Sequence, residues 1–406
     1  MKNIYRGLPI AIIAFLSTGL PIGMAQYSFG EFSFPLINEF GWSQTELNFG
    51  LSMAFISSII APFLGRISDK IGIKPVMIVS MIMIALGFGL RPLISELWHW
   101  YFLSALVFAG FPGTTVLPSG KLVAAWYPSN RGRVMGAVTA GNNFGGVCIP
   151  PIAAFFITYY SWELAYIFFC MIIGLLCIMT FFIVSDDPNL IKKQMKKAGK
   201  DLKYISKIVE NKPSGKTLKE ALSKKNFYLM TFALTGACFT YQGVLTQLRQ
   251  HFEESGFSPA TATAGLTTVA FMGIGSKLFF GRISEKITAK KATIIAIFFQ
   301  TIGVIIFSLS NNNIILWIGI FIFSLGFGGL GALIVLLVQE LYGMVEFSSI
   351  MGIILLANII PGTFSSLLAG AIHDKTNSFD LAFMIIGIIF ITSMISLLSI
   401  NQKERY

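Results

Sequence analysis

A few ionisable and amide side chains interrupt otherwise apolar stretches of this sequence, and their types suit ion and proton binding. Lys277 lies four residues before Gly281, and Glu31 lies one helical turn after Tyr27. An ammonium attracts an anion, and a carboxylate at a partly apolar position can carry a proton. A charge inside a membrane span costs roughly 2.5–3.5 kcal/mol, so both residues are functional candidates. Amide and phenol groups in similar stretches are either candidate ligands for a bound solute or groups that hydrogen-bond between helices: Gln26, Tyr27, Asn142, Tyr241, Gln242 and Asn358.

The composition shows what kind of protein holds these residues. Of 406 residues, 54% are hydrophobic and 12% are charged, whereas soluble domains carry about 25% charged residues. This excludes an ordinary cytosolic enzyme, a disordered chain and a free nucleic-acid binder. Eleven stretches without Asp, Glu, Lys or Arg are long and apolar. The 48-residue stretch 292–339 divides at the polar turn around Asn312, so we predict an all-α membrane protein with twelve transmembrane helices.

The charges predict an orientation. With the N-terminus in the cytoplasm, the inner segments hold 27 of the 30 Lys and Arg residues, and the outer loops hold Arg91, Arg249 and Lys375. This distribution follows the positive-inside rule, so the formal charge of +11 reports topology and does not require nucleic acid. The basic segment 186–225 is a solvated linker or a surface that contacts anionic lipid. The first apolar run is too long for a signal peptide and is interpreted as the first helix.

The sequence repeats at an offset of 216 residues. Gly65–Ile71 matches Gly281–Ile287, Asn142 matches Asn358, and single matches extend from the second to the fifth helix of each half. We therefore predict two pseudosymmetric six-helix bundles, residues 1–185 and 226–406, joined by the linker 186–225. Parallel repeats of this kind suit alternating access around a site near the midplane.

The loop Gly65–Lys74 resembles the signature loop between helices 2 and 3 of the major facilitator superfamily, and the resemblance covers the whole chain. Gly41-Trp42-Ser43 and Trp126-Tyr127-Pro128 with Arg131-Gly132 are similar to the monocarboxylate porters and oxalate/formate antiporters. Ala369-Gly370 with Asp374 and Phe379 extends this second likeness. The resemblance implies a secondary transporter of small solutes.

The resemblance also implies a gate at the signature loops. Asp69 is expected to face the N-terminus of helix 11, near Ser348 and Ser349, where the helix dipole and free N–H groups stabilise a carboxylate. By pseudosymmetry Glu285 is expected to face the start of helix 5, near Arg131 and Arg133. The basic residues Arg66, Lys70 and Arg282 belong to the same loops. The alternative is that the loops only determine topology.

Two roles in the transport site follow from the monocarboxylate branch. That branch has an arginine at the position of Lys277, which implies that Lys277 binds the substrate carboxylate; the alternative is a lysine that reaches the membrane surface. Its frequent aspartate one turn earlier is Gly273 here. The oxalate/formate antiporters have a second cation in helix 11 that holds a dicarboxylate. Asn358 takes that place here, which favours a monoanion as the substrate. Glu31 is hypothesised to bind the coupled proton, with an exposed helix cap as the alternative.

Other signals predict structural roles. Lys121, Arg91 and Arg249 are interpreted as anchors at helix ends, and His99, His251 and His373 need no special role. The G-x-G-x-x-G pattern at Gly326, Gly328 and Gly331 has no strand before it and indicates close helix packing. The sequence contains no phosphate-binding loop and no hydrolase motif, which disfavours an ATP-driven pump or a membrane hydrolase.

The sequence therefore predicts a non-enzymatic secondary transporter that moves a small monocarboxylate or related organic anion with a proton, using helices 1, 4, 5, 7, 8, 10 and 11. The alternatives are an exporter or antiporter of another metabolite or drug, and a transporter-like sensor. We expect no cofactor, no metal and no nucleic-acid partner. We also expect a monomer in contact with membrane lipid, in a bacterial inner membrane with both termini cytoplasmic.

Overall fold

The computed structural model describes residues 7–197, 214–310 and 312–401, with the side chains of a few residues, among them Gln242, excepted. Within these ranges short connections join the helices, and the β structure is limited to one isolated antiparallel bridge between Gly215 and Gly343. The long helical segments are α1 Gly7–Phe40, α2 Gln44–Ile71, α3 Ile73–Leu93, α4 Leu97–Trp126, α5 Arg131–Tyr159, α6 Trp162–Ile183, α7 in the pieces Lys225–Ala237, Thr240–Val244 and Leu248–Glu254, α8 Pro259–Ile287, α9 Ala289–Ser308, α10 Asn313–Tyr342, α11 Phe347–Thr376 and α12 Asp380–Leu398. Two short helices, Pro188–Lys197 and Leu218–Leu222, lie between α6 and α7.

The predicted fold class, an all-α membrane protein with twelve transmembrane helices, is confirmed. Eleven of the described segments are long and apolar enough to cross a membrane, and the interrupted α7 is the twelfth. The 48-residue apolar stretch divides as predicted, because α9 ends at Ser308 and α10 begins at Asn313. Asn311, within the predicted turn, lies outside the described residues.

The described chain forms two compact units. The first contains residues up to 134, 138–215 and 343–353, and the second contains 135–137, 216–342 and the residues from 354 onward. Short pieces of α5 and α11 thus cluster with the unit formed mainly by the other repeat. The predicted domain boundaries 1–185, 186–225 and 226–406 stay a prediction.

Interruptions divide several helices near their middle. A π-helical turn divides α1 at Gly23–Tyr27, and another divides α7 at Thr240–Val244. The α-helical pattern of α5 breaks at Ala140 and that of α11 at Asn358. In contrast, α6, α9 and α12 are continuous. The amide and phenol side chains singled out in the sequence lie in the interrupted helices, which is where non-helical backbone can line a cavity.

Arg91, interpreted as an anchor at an outer helix end, is instead a buried residue. The residue is only 5% exposed at the end of α3. Its guanidinium carbon lies 4.3 Å from the Trp100 ring centroid and 4.5 Å from that of Tyr166. The hydroxyl of Ser104 accepts a hydrogen bond from Nη2 at 3.3 Å. Stacking on aromatic faces stabilises a desolvated guanidinium, and Arg91 therefore helps to join α3, α4 and α6.

Candidate transport site and signature loops

The two π-helical turns carry polar residues at matching places in the two repeats. They begin at Gly23 in α1 and at Thr240 in α7, one residue away from the 216-residue offset. The first contains Gln26 and Tyr27, and the second contains Tyr241 and Gln242, whose side chain lies outside the described residues. A π-helical turn inserts one extra residue into a helix and is frequent at functional sites. Both repeats thus change their helical register where the candidate substrate ligands lie.

The α1 turn presents its polar side chains on an open face. Gln26 is exposed and the Tyr27 side chain is 54% exposed. The Tyr27 ring lies directly against Gly146 of α5, where an added Cβ would come within 3.1 Å of the ring. Glu31 lies in the first turn of the next α-helical piece, Phe29–Phe40, and is also exposed. Its exposure fits a proton site that solvent reaches and fits a helix cap equally, so its role stays a prediction.

Asn142 and Asn358 occupy equivalent positions next to the interruptions of α5 and α11. The side-chain oxygen of each is buried and has no hydrogen-bond partner among the described residues. A buried acceptor without a donor is unusual, and it costs free energy unless water or a ligand donates to it. Among the described residues, neither oxygen therefore accepts a hydrogen bond from another helix.

Lys277 lies within α8 and is only 7% exposed. The helix packs closely on α10 at this level, since an added Cβ on Gly328 would come within 2.4 Å of the Gly273 carbonyl oxygen. The Ser276 hydroxyl donates a hydrogen bond to the Leu325 carbonyl. These contacts confirm close helix packing at the glycine-rich pattern of α10. The burial of Lys277 argues against a side chain that reaches the membrane surface.

A symmetric comparison isolates what is special about Lys277. An added Cβ on Gly136 would lie 2.3 Å from the Lys277 carbonyl oxygen, and one on the equivalent Gly352 would lie 2.7 Å from that of Ala61. Both repeats use a glycine to let two helices approach at this position. Ala61 and Lys277 are equivalent residues, so the backbone crossing does not require a lysine. The ammonium is an addition to a shared packing motif.

The first signature loop places Asp69 against the beginning of α11. Its two carboxylate oxygens accept hydrogen bonds from the backbone N–H groups of Ser348, at 3.3 Å, and Ser349, at 2.7 Å. The hydroxyls of Ser68 and Ser348 lie 3.3 Å apart. The Asp69 side chain is only 6% exposed. This is the location expected from the sequence, and a carboxylate there is stabilised by the helix dipole.

Lys121 completes this site and was missed. Its ammonium lies 2.7 Å from Asp69 Oδ1 and donates a hydrogen bond to the Ser68 carbonyl oxygen at 2.7 Å. The interpretation of Lys121 as a helix-end anchor is therefore wrong. A cation in an apolar helix of the same half as a buried aspartate is the signal that could have indicated the pair.

The other gating candidates are less buried than Asp69. Arg66, Lys70, Arg282 and Glu285 are exposed. Arg131 is half-buried at the start of α5, and its Nε atom has no hydrogen-bond partner among the described residues. Glu285 belongs to the second compact unit and Arg131 to the first, and their expected pairing stays a prediction.

A comparison of this sequence with a family model identifies the family of the chain. The family model of the Major Facilitator Superfamily matches residues 9–358 and, in a second match, 252–405. The chain belongs to the Major Facilitator Superfamily. It is thus an integral, multi-pass membrane protein of a family of non-enzymatic carriers, a secondary transporter of sugars, organic acids or other small substrates.

Individual relatives agree with this family. The chain is 25% identical over 308 residues to the "Uncharacterized transporter YybO" of Bacillus subtilis (strain 168), covering 70% of this chain and 69% of that protein. It is 19% identical over 386 residues to Monocarboxylate transporter 13 of Rattus norvegicus, covering 94% of this chain and 86% of that protein. The crystallised proton:xylose symporter XylE superposes with a TM-score of 0.80 at 13% identity, covering 98% and 97%. The chain resembles the monocarboxylate branch, while the XylE likeness concerns the fold alone.

Proposed function

We propose that this transporter moves a small monocarboxylate or related organic anion together with a proton, by alternating access. The observation that carries the proposal is the buried Lys277 ammonium in α8, at a packing position where the other repeat has Ala61. A cation inside a membrane span is a functional candidate by default, and an ammonium at this place would attract an anionic substrate. The similarity to Monocarboxylate transporter 13 supports the same substrate class.

Uptake by purified protein in liposomes tests the proposal. A panel of labelled carboxylates is offered with and without an imposed pH gradient, and we expect uptake of at least one monoanion to increase with an inwardly directed proton gradient. Lys277→Gln should lower this uptake at least tenfold, because losing one partner of a buried charge pair costs about 2–5 kcal/mol. Lys286→Gln is the matched control, since Lys286 is an exposed lysine in the same helix, and it should transport normally.

The opposite results are equally clear. Normal anion uptake by Lys277→Gln would show that Lys277 does not bind the anion. Transport of a lipophilic cation that survives this change would favour a drug or metabolite exporter. Substrate binding without any flux in liposomes would instead identify a sensor.

The unpaired amide oxygens narrow the substrate class further. The side-chain oxygens of Asn142 and Asn358 are acceptors, so each favours a ligand that donates hydrogen bonds. A carboxylate that also bears hydroxyl groups supplies both the anion and the donors. We expect a 2-hydroxy acid to compete for uptake more strongly than its deoxy analogue, and Asn142→Ala to reduce that preference. Equal competition by both acids would contradict this refinement.

Glu31 is proposed as the group that carries the coupled proton. Its exposed carboxylate lies one turn after Tyr27, next to the candidate substrate ligands of α1. Glu31→Gln should abolish uptake driven by the pH gradient but preserve substrate exchange at equal pH. Survival of both activities would leave Glu31 as a helix cap.

A further inference from the structure

The part of α11 that follows its break at Asn358 has three faces. One face is buried, and its members recur every fourth residue: Pro361, Ser365 and Ala369. A second face has large apolar side chains that are 51–63% exposed: Ile360, Phe364 and Leu367. At 3.6 residues per turn, the remaining open face contains small or polar residues: Asn358, Gly362, Thr363, Ser366 and Gly370. Polar groups that face hydrocarbon cost free energy. Lipid therefore suits the second face, and the open face borders protein or water.

The open face is uncovered at Gly362. This residue is exposed, and an added Cβ would meet no atom of the described residues within 4 Å. Its N–H donates to the Asn358 carbonyl oxygen at 3.1 Å, so Gly362 lies one turn after that candidate ligand. Glycine is disfavoured inside a helix relative to alanine, and neither close packing nor a positive φ requires it here. The lack of a side chain at this place therefore needs another explanation.

The equivalent place in the first repeat is filled by a ring. Gly146, 216 residues before Gly362, follows Asn142 by one turn in the same way. An added Cβ on Gly146 would lie 3.1 Å from three carbons of the Tyr27 ring. The first repeat thus covers this glycine with its own phenol ring, which is about as large as a small cyclic ligand.

The second repeat cannot supply such a ring from α7. At the same offset Tyr27 corresponds to Gly243, which has no side chain. An added Cβ on Gly243 would already lie 2.8 Å from Ile386 and 3.1 Å from Ser365. The helix therefore packs too closely there for a larger residue, and the place over Gly362 is left open next to Asn358.

We propose that Gly362 determines the substrate specificity of the transport site. A ring-sized part of the substrate lies over Gly362, in the place that the Tyr27 ring occupies in the first repeat. Asn358, one turn earlier, accepts a hydrogen bond from a substrate hydroxyl, and Lys277 of the same unit binds the carboxylate. The inference rests on the proposed function for the carboxylate and adds the size of the remainder: the substrate is a hydroxy acid that bears a ring.

Two 2-hydroxy acids that differ in size, lactate and mandelate, test the inference. The purified full-length protein is melted in detergent at increasing concentrations of each acid, and the stabilisation gives its affinity. The wild type should bind mandelate more tightly than lactate. Gly362→Ala should weaken mandelate binding about tenfold, because one methylene in a substrate pocket changes discrimination by about 10–200-fold. Gly362→Val should weaken it further, while lactate binding changes less than threefold in both variants.

Gly370→Val is the matched control. Gly370 lies on the same face of α11, about 12 Å further along the helix, and an added Cβ there would also meet no described atom within 4 Å. Both glycines should accept a side chain without loss of the fold, which the melting temperature without ligand checks. Gly370→Val should discriminate between the two acids as the wild type does. Mandelate binding that Gly362→Val leaves unchanged, or that Gly370→Val weakens equally, would overturn the inference.

An uncharged analogue separates this inference from the proposed function. In 1-phenyl-1,2-ethanediol a hydroxymethyl group replaces the carboxylate of mandelate. If the diol binds as tightly as mandelate and Gly362→Val weakens both, the anion site is rejected and the role of Gly362 stands. If Lys277→Gln abolishes binding of both acids but Gly362→Val alters neither, the proposed function stands and this inference fails. Failure of mandelate and the diol to bind the wild type would also overturn it.

Discussion

The two signature loops, Gly65–Lys74 and Gly281–Lys290, share a motif and a backbone shape but bury their acidic residues to different extents. The residue before the following helix has a positive φ in both, +94° at Gly72 and +89° at Thr288. A carboxylate caps that helix in both: Asp186 accepts the Lys74 N–H at 2.8 Å, and Glu340 accepts the Ala289 N–H. The caps come from different places, since Asp186 follows α6 and Glu340 lies near the end of α10.

The difference is larger at the acidic residue of the motif. Asp69 is almost fully buried between Lys121 and two backbone N–H groups, whereas Glu285 is exposed. Both repeats therefore conserve the shape of the turn even though the residues that stabilise it have changed. The deep burial of the acidic residue distinguishes the first loop, and the following substitutions test what that burial contributes.

Asp69→Asn should have the largest effect. The change removes the charge opposite Lys121, and breaking a buried ion pair by removing one partner costs about 3–5 kcal/mol. We expect uptake in liposomes to fall at least tenfold at equal amounts of inserted protein, while Glu285→Gln lowers it less than threefold. Equal losses in the two variants would show that the loops work alike, and normal transport by Asp69→Asn would reject the gate.

Gly72→Ala should destabilise the first loop. The φ of +94° disfavours any residue with a Cβ, and the added carbon would lie 2.6 Å from Asp186 Oδ2. Strain of this kind costs about 1–3 kcal/mol. The melting temperature in detergent should therefore fall by several degrees, and an unchanged value would mean that this turn can adopt another shape.

Thr288→Gly should act in the opposite direction and more weakly. Threonine is β-branched and strained at a φ of +89°, so glycine relieves about 1 kcal/mol. The gain is partly offset, because the threonine side chain accepts the Lys291 N–H at 3.3 Å. We expect a rise of about 1–2 °C in the melting temperature. Thr288→Ala, which keeps the strain and loses the cap, should instead lower it.

Asp186→Asn should have the smallest effect on stability. The direction of the effect should depend on pH. Partial burial against Gly72 raises the pKa of the Asp186 carboxyl, although the Lys74 N–H and the charge of Lys121 act against this rise. Since the folded-state pKa lies above the unfolded value, the wild type gains stability as the pH falls through it. The melting temperature of the wild type, minus that of Asp186→Asn, should therefore increase slightly from pH 7 to pH 4. A relative loss on acidification would show that the hydrogen bond dominates over desolvation.

The fold was predictable because a bilayer imposes simple requirements. Long apolar runs marked the helices, and one polar turn correctly divided the 48-residue stretch at the α9–α10 junction. The π-helical turns at Gly23 and Thr240 were not predicted, because an inserted residue leaves no hydrophobic pattern and depends on how the neighbouring helices pack.

The surroundings of a site residue were predictable only where a charged side chain lies against a feature that every helix has, such as its free N-terminal N–H groups. The environment of Asp69 followed from the motif and the free N–H groups at the start of α11. Lys121 and Arg91 were misinterpreted, since their partners lie on other helices. Single-sequence periodicity says which face of a helix is apolar, but not which aromatic ring or carboxylate another helix will bring to it.

The matching π-helical turns also carry a record of ancestry. An extra residue in a helix is seldom tolerated without a use, and two independent insertions within one residue of equivalent places in the repeats would be a strong coincidence. The simpler history is one insertion in an ancestral six-helix protein, copied when its gene duplicated and fused. The irregular turn would then be older than the asymmetry between Ala61 and Lys277, so the present substrate was fitted to a bent scaffold that already existed.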